Sequence, residues 1–380
     1  MPTAAGLVFL AAAAALLIAQ APDGATVSPR ARALHARALV FDGHIHAVDR
    51  EYYHGGDIGQ RKPDGQFDLP RAKEGGLGAL FFSIFVTEDY YPARLETKQA
   101  LRMMDAAIEQ IGRNSGSIEI ARNATDIERI HRSGKIAAVL DIEGSFDLDG
   151  DPAVIRQMYR LGMRSVQLSA HNWTSNYADP CCTAPKWHGL NERGREVVRE
   201  MNRLGMVINV SHASDEAISA AIDASTAPVV ATHHGLRAIN DIPRNMPDSL
   251  LWGAAHAGKA FWDTSAILQR GTQVPIDELD KIVGPQFPML PAAIPQDIRL
   301  TVDEWVGVVD RAIQLVGEDH VALGSDFDGG PPLPRGMRDI RDLPMITDAM
   351  LRRGYAEERI RKFLGGNLLR VFRQITEKRR

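Results

Sequence analysis

Short apolar runs alternate with amphipathic stretches along almost the whole 380-residue chain. This alternation limits the fold more than any other feature. The runs are Leu39–His46, Leu77–Val86, Ile136–Glu143, Ser165–His171, Val207–His212, Val229–His233, Ala260–Ala266 and Val321–Asp326. Each has the length and composition of a buried strand. Helix-like segments punctuate them: Pro29–Arg37, Ala93–Arg113, Thr125–Ser133, Pro152–Leu161, Glu192–Leu204, Ser214–Ala224 and Thr301–Val316. A C-terminal helical region, Ile346–Thr376, is interrupted near Gly365. Strands that alternate with helices pair in parallel through helical crossovers. Eight of them predict an α/β fold, a (β/α)8 TIM barrel of the metal-dependent hydrolase type. An open doubly wound sheet is the alternative, but no G-x-G-x-x-G follows an early strand. The sequence carries no internal repeat, long linker or low-complexity tract after its N-terminus.

The ends of the runs carry the chemistry. Six of the eight finish in or beside a metal-competent or ionisable residue: His44/His46, Glu143, His171, His212, His233 and Asp326. The C-terminal ends of barrel strands surround one mouth, so residues distant in sequence meet there. His44 and His46 are spaced two apart, which puts both on one face of an extended chain, with Gly43 leaving room for a close neighbour. Paired imidazoles suit a borderline ion such as zinc. Glu143 closes an apolar strand, where an unpartnered carboxylate is costly, so a metal or an arginine is expected beside it. His171 reads equally as a ligand, a hydrogen-bond donor or a packed core histidine. Spacing does not choose between His233 and His234. Asp326 and Asp328 alternate on a strand end and read as a base and its support. His35, His54, His131, His188, His256 and His320 read as structural or exposed.

A net charge of -4 gives no electrostatic case for nucleic acid. Leu7–Ala19 is an apolar, alanine-rich run followed by Ala19-Gln20-Ala21, which reads as a secretory signal peptide cleaved after Ala21, although no Lys or Arg precedes it. Residues 22–380 then form a single catalytic barrel with a C-terminal helical extension. The protein is expected to be exported, periplasmic or secreted, with an uncleaved membrane anchor as the alternative. The only cysteines are the neighbours Cys181 and Cys182. No second Cys pair exists to build a thiolate zinc site. Consecutive Cα atoms lie about 3.8 Å apart, below the usual disulfide span, so free thiols and a local bridge both remain open. The segment Leu268–Leu300, rich in Pro and apolar residues, follows the seventh run on the active-site side and is expected to form a lid or pocket wall.

Taken in order, several stretches resemble the membrane dipeptidase (renal dipeptidase) family of zinc peptidases. They are Phe41–His44, Asp68–Arg71 with Gly75-Gly76, Asp141–Gly144, Leu168–Asn172, Gly194–Asn202, Val210–His212, Thr232-His233, Arg244–Asp248, Gly324–Gly329 and Gly365–Asn367. The resemblance implies a (β/α)8 fold with two Zn2+ ions per chain. His44 and the residue two positions on, His46, would bind the first ion. Glu143 would bridge, and His212 and His233 would bind the second. The alignment of Thr-His selects His233 over His234. The resemblance further implies that His171 hydrogen-bonds the oxyanion, Arg244 holds the substrate carboxylate, and Asp326 orients the nucleophile and shuttles its proton. The substrate would be a dipeptide or small amide, with tolerance for a D-residue at the C-terminal position. Family members are often homodimers. The family usually has His-x-Asp at the first motif; this chain has His44-Ile-His46, so a neutral imidazole stands where a carboxylate is usual. The alternatives are a hydrolase of N-acyl amino acids or lactones on the same fold, and a non-catalytic binding protein.

Overall fold

A computed structural model describes residues 26–144, 147–248, 253–255, 275–289 and 299–377. The signal-like run and the seventh apolar run, Ala260–Ala266, lie outside the described residues. In chain order the elements begin with α1 (Pro29–Arg37), β1 (Val40–His46), α2 (Asp49–His54), α3 (Leu69–Glu74), β2 (Leu77–Val86) and α4 (Glu96–Arg113). Next come β3 (Ile118–Ile120), α5 (Ala124–Arg132), β4 (Ile136–Gly144), α6 (Pro152–Leu161), β5 (Ser165–Gln167) and α7 (Glu192–Leu204). They are followed by β6 (Val207–Asn209), α8 (Asp215–Ala224), β7 (Ala231–His234), β8 (Gly253–Ala255) and α9 (Ile276–Val283). The last are α10 (Val302–Val316), α11 (Leu343–Arg352), α12 (Glu357–Arg361) and α13 (Asn367–Thr376).

The helices start where a short polar side chain can serve a free backbone N–H. Asp68, Asn123, Asp151, Asn191 and Ser214 each cap one this way, and Thr301 with Glu304 forms a full capping box. The C-terminal helical region breaks once more than expected, between α11 and α12, before the kink at Gly365.

The sheet is parallel, in the order β1-β2-β4-β5-β6, with β3 alongside the start of β4. Strand β7 joins β6 through Val210 N–H to Val230 O and Val230 N–H to Ile208 O, and β8 pairs with β7. At the other edge, residues 321–327 run beside β1: Gly43 donates to Leu323 O, Asp326 to His44 O, and His46 to Phe327 O. Parallel segments therefore follow one another around the molecule in chain order, as a (β/α)8 barrel requires. Gly253–Ala255 takes the place beside β7. Residues 321–326 are not a regular strand. Asp42 accepts hydrogen bonds from the backbone of both His44 and Ser325, which diverts the ladder. Asp326 and Asp328 consequently sit on a turn with φ of 57° and 61°, not in alternation on an extended strand.

The interior is layered. Along β4, Ala137, Val139, Asp141 and Glu143 alternate on one face, changing from apolar to carboxylate toward the mouth. Along β2 the matching residues are Ala79, Phe81, Ser83 and Phe85. The apolar floor is closed by Phe41, Phe81 and Phe372 of α13, whose rings meet edge-on at 5.5–6.4 Å. The polar layer above it is the candidate site.

Candidate metal centre

Phe41 faces the floor, yet His44, three residues on, faces the same interior. A regular strand would turn one of them away. The register explains this: Asp42 pairs with Leu80 but Ile45 with Phe82, so β1 carries one extra residue at Gly43-His44. The bulge re-aims both histidines inward. A Cβ on Gly43 would lie 3.1 Å from the Thr232 carbonyl oxygen and 3.2 Å from that of Leu323, so glycine allows the bulge to pack. Room beside Gly43 is thus filled by backbone.

Glu143 is the hub of the site, and its two oxygens face different partners. Oε2 lies 2.6 Å from His44 Nε2 and 3.0 Å from His46 Nε2. Oε1 lies 2.6 Å from His171 Nε2 and 3.2 Å from Nε2 of both His212 and His233. Asp326 Oδ1 stands 3.3 Å from His46 Nε2. The structure thus brings together all seven of these side chains, and Arg244 beside them: its Nη2 contacts His212 Nε2 at 3.1 Å and the His233 carbonyl at 2.7 Å. His234, next on β7, is not among the groups that meet Glu143. His212 lies beyond the end of β6 with φ of 64°, because Asn209 takes the Ser211 N–H and curls the chain.

The donor set fits divalent ions. His44, His46 and Glu143 form one group of converging ligand atoms, and Glu143, His212 and His233 form another. Within each group the two Nε2 atoms are close, 3.3 Å and 2.9 Å apart, and aim at common space. Imidazole nitrogen with a shared carboxylate is a donor set suited to zinc.

Outer partners fix the rings. His46 Nδ1 pairs with Asp49 Oδ2 at 2.7 Å, and Asp49 Oδ1 accepts the Phe85 N–H. His44 Nδ1 meets Ser83 Oγ at 2.8 Å, and that hydroxyl donates to Asp141. His233 Nδ1 meets Thr232 Oγ1 at 3.0 Å. In each case the Nδ1 bond leaves Nε2 pointing at the site. The sequence reading did not assign these supports. Asp141 could have been found, since it shares a strand face with Glu143; Asp49 follows His46 by three residues with no periodic signal. Phe85 was also missed. Its ring stacks on His171 at 4.7 Å and stands 5.5 Å from His46. Gly329 lies so close to Asp326 and His46 that any Cβ would collide with both.

The electrostatics differ between the halves. Burial works against the charged form of His44, yet Glu143, Asp141 and Asp326 outweigh it and push its pKa up to about 10. His46 is likewise raised well above its ordinary value, burial being outweighed by Asp326, Asp49 and Glu143. This half is a slot for positive charge. Burial, then repulsion from His44, pushes His233 down to about 3, and burial with Arg244 holds His212 well below its ordinary value. Burial raises Glu143, but the surrounding imidazoles hold it well below the usual carboxylate range. Burial lowers Arg244 to about 10.

Elsewhere, His35 is buried between Thr347 and the Gly75 carbonyl, a structural role. Cys181 and Cys182 are bonded to each other.

A parallel α/β barrel with converging histidines and a shared glutamate at its mouth defines the class: a metal-dependent hydrolase. The comparisons narrow it. The family model for membrane dipeptidases (peptidase family M19) matches residues 28–380. The chain is 33% identical over 324 residues to dipeptidase tcpJ of Claviceps purpurea, across 82% of this chain and 70% of that protein. It is 29% identical over 323 residues to dipeptidase verJ of Clonostachys rogersoniana, across 82% of this chain and 76% of that one. The crystal structure of the probable dipeptidase PvdM from Pseudomonas aeruginosa shares the fold with a TM-score of 0.75 at 23% identity, covering 92% of this chain and 98% of that chain. A metallo peptidase from Rhodobacter sphaeroides, liganded with a phosphinate mimic of the dipeptide L-Ala-D-Ala, shares it with a TM-score of 0.68 at 23% identity, covering 89% and 99%. The chain belongs to the membrane dipeptidase family and is a dipeptidase with a histidine and glutamate metal-binding cluster.

Proposed function

We propose that the chain hydrolyses dipeptides with two zinc ions, one held by His44, His46 and Glu143 and the other by Glu143, His212 and His233. The observation that carries this reading is Glu143, whose Oε2 faces His44 and His46 while its Oε1 faces His212 and His233, with His171 beside them. Bound there, such ions supply Lewis acidity to a peptide carbonyl and acidity to a water. The remaining work falls to the chain. Burial opposes the charge of Asp326, but His46, His233 and His44 keep it ionised well below its ordinary range. It takes the proton of the attacking water and returns it to the leaving amine. His171, half-buried at the mouth, donates to the carbonyl oxygen as that atom gains charge. Arg244 is anchored through Nη2, while its buried Nη1 has no partner among the described residues. That free edge suits a substrate carboxylate, set one residue beyond the scissile bond, which selects dipeptides over longer chains. The phosphinate ligand of the Rhodobacter sphaeroides neighbour extends the proposal to a D-residue at the C-terminal position.

Of the segment 268–300, residues 275–289 wall the cleft in this reading, and residues 268–274 and 290–298 lie outside the described residues. The contacts of 275–289 support that: Asp280 accepts from Tyr52 and Tyr90, and Phe287 stacks on Tyr53 at 4.8 Å and stands 6.1 Å from Phe85. A deletion that left the kinetics unchanged would refute it.

The test is a panel of L,L- and L,D-dipeptides, their C-terminal amides and N-acyl amino acids. Free dipeptides are expected to be cleaved, with kcat/KM falling on amidation as the partner of Arg244 is lost. Preference for N-acyl amino acids, or indifference to amidation, would overturn the assignment.

A further inference from the structure

The proposed mechanism makes no use of the two cysteines, yet they lie beside one half of the site. Cys181 and Cys182 are bonded to each other and half-buried. Their segment pairs, backbone to backbone, with the residues around His212. The Cys181 N–H donates to the His212 carbonyl at 2.7 Å, Pro180 and Ala213 form an antiparallel bridge, and the Ser214 N–H donates to Asp179 O at 3.1 Å. Just beyond the pair, Thr183 Oγ1 donates to the carbonyl of Asn172, the neighbour of His171, at 2.8 Å. On the approach, the buried Asp179 carboxylate accepts the N–H groups of Lys186, Trp187 and Gly189. The cysteine pair is therefore one link of a strap that joins the backbone of His212 to the loop of His171. The rings of those two histidines stack at 3.7 Å.

His212 needs such a hold. Its φ of 64° lies in the left-handed region, which is disfavoured for a residue with a Cβ. Its carbonyl is gripped from outside by the Cys181 N–H. A bridge between neighbouring cysteines closes a small ring through one peptide bond, so the backbone that offers this N–H has little freedom. We infer that the Cys181–Cys182 bridge is a positioning pair for the His212 half of the metal centre, and that a dithiol reductant releases it. This rests on the two-ion reading above. One thiolate of the reductant attacks a cysteine sulfur and forms a mixed disulfide. The second reductant thiol then displaces the cysteine. Two electrons and two protons pass to the pair, leaving two cysteine thiols and the reductant as its own disulfide. With the ring open, the His212 carbonyl loses its fixed donor and the imidazole its aim at Glu143. His44 and His46 are held by Asp49 and by Ser83 with Asp141, outside the strap, and keep their geometry.

The experiment uses the full chain in three forms: oxidised, reduced with a dithiol then desalted without air, and C181S/C182S, each reloaded with zinc. Zinc per chain is measured across a series of chelator-buffered free zinc concentrations, with kcat and KM for one dipeptide. The oxidised chain is expected to hold two ions. The reduced chain and the variant are expected to hold one of them about tenfold or more weakly, with kcat falling and KM nearly unchanged. Reoxidation by an azodicarboxamide should restore the wild type and not the variant. Equal zinc retention and equal kcat in all forms would overturn the inference. So would simultaneous loss of both ions, which would make the strap a general support. If the oxidised chain itself holds fewer than two ions, the two-ion reading fails, and the inference with it.

Discussion

Asp49→Asn isolates one support of the centre. Asp49 is buried and uses both oxygens: Oδ2 accepts the Nδ1–H of His46 at 2.7 Å, and Oδ1 accepts the Phe85 N–H at 3.2 Å. Asparagine offers one acceptor and one donor. If its oxygen keeps the Phe85 bond, its amide N–H faces His46 Nδ1. The imidazole must then carry its proton on Nε2, the atom that should bind the ion. If its oxygen turns to His46, the amide N–H opposes the Phe85 N–H. With an ion on Nε2, either orientation leaves one buried polar group unsatisfied, at about 1–3 kcal/mol. Through RT ln K this is roughly a 5- to 150-fold loss in a binding constant. Only the His44/His46 half should weaken, because no bond from Asp49 reaches His212 or His233. Competition against a fluorescent zinc chelator, read as two successive binding constants, measures this. Two unchanged constants, or equal weakening of both, would refute the reasoning.

Ion uptake should depend on pH unequally in the two halves. With His44 raised to about 10 and His46 raised well above its ordinary value, both imidazoles of the ion-free chain are protonated near neutral pH, so binding must release two protons. The affinity of that half should rise about a hundredfold per pH unit. His233, lowered to about 3, already presents a lone pair, and its half should change little; calorimetry in buffers of different ionisation enthalpy counts the protons. Asp326→Asn should keep both ions and lose about 10²–10⁴-fold in kcat; metal analysis beside steady-state kinetics would contradict this if rate and ions fell together. Gly43→Ala forces a Cβ against two carbonyl oxygens at 3.1 and 3.2 Å. A loss of about 1–3 kcal/mol is expected in chemical denaturation, and no loss would mean that the bulge is less tightly packed than described.

The barrel was legible because its signals are local and repetitive. Pro152–Leu161 and Glu192–Leu204 begin and end where the sequence expects, since Asp151 and Asn191 cap them and Gly162 and Gly205 follow them. The short strand Ile118–Ile120 was not expected, because three residues carry no period. Gly253–Ala255, beside β7, is likewise too short to read as a strand, and the expected run Ala260–Ala266 lies outside the described residues. At the site, residue identities were legible and their geometry was not. Two histidines spaced two apart do share a face, but only a bulge turns that face inward, and a bulge is set by pairing with a neighbouring strand. The left-handed turns at His212 and Asp326 are held by Asn209 and Asp42, side chains that no motif connects to them. Asp49 and Ser83 act through the rings they hold, so nothing in their own sequence neighbourhood marks them as functional, and Asp141 is marked only by its place two residues before Glu143 on one strand face.

The most direct test of the two-ion dipeptidase reading is metal content and turnover on one preparation. The purified chain is reconstituted with zinc, freed of excess, and analysed for zinc per chain, while L,L- and L,D-dipeptide cleavage is followed with and without chelator. Two ions per chain, with cleavage abolished by chelator and restored by zinc, is the expected outcome. One ion with full activity would remove the bridging role of Glu143, and cleavage indifferent to chelator would contradict the mechanism outright.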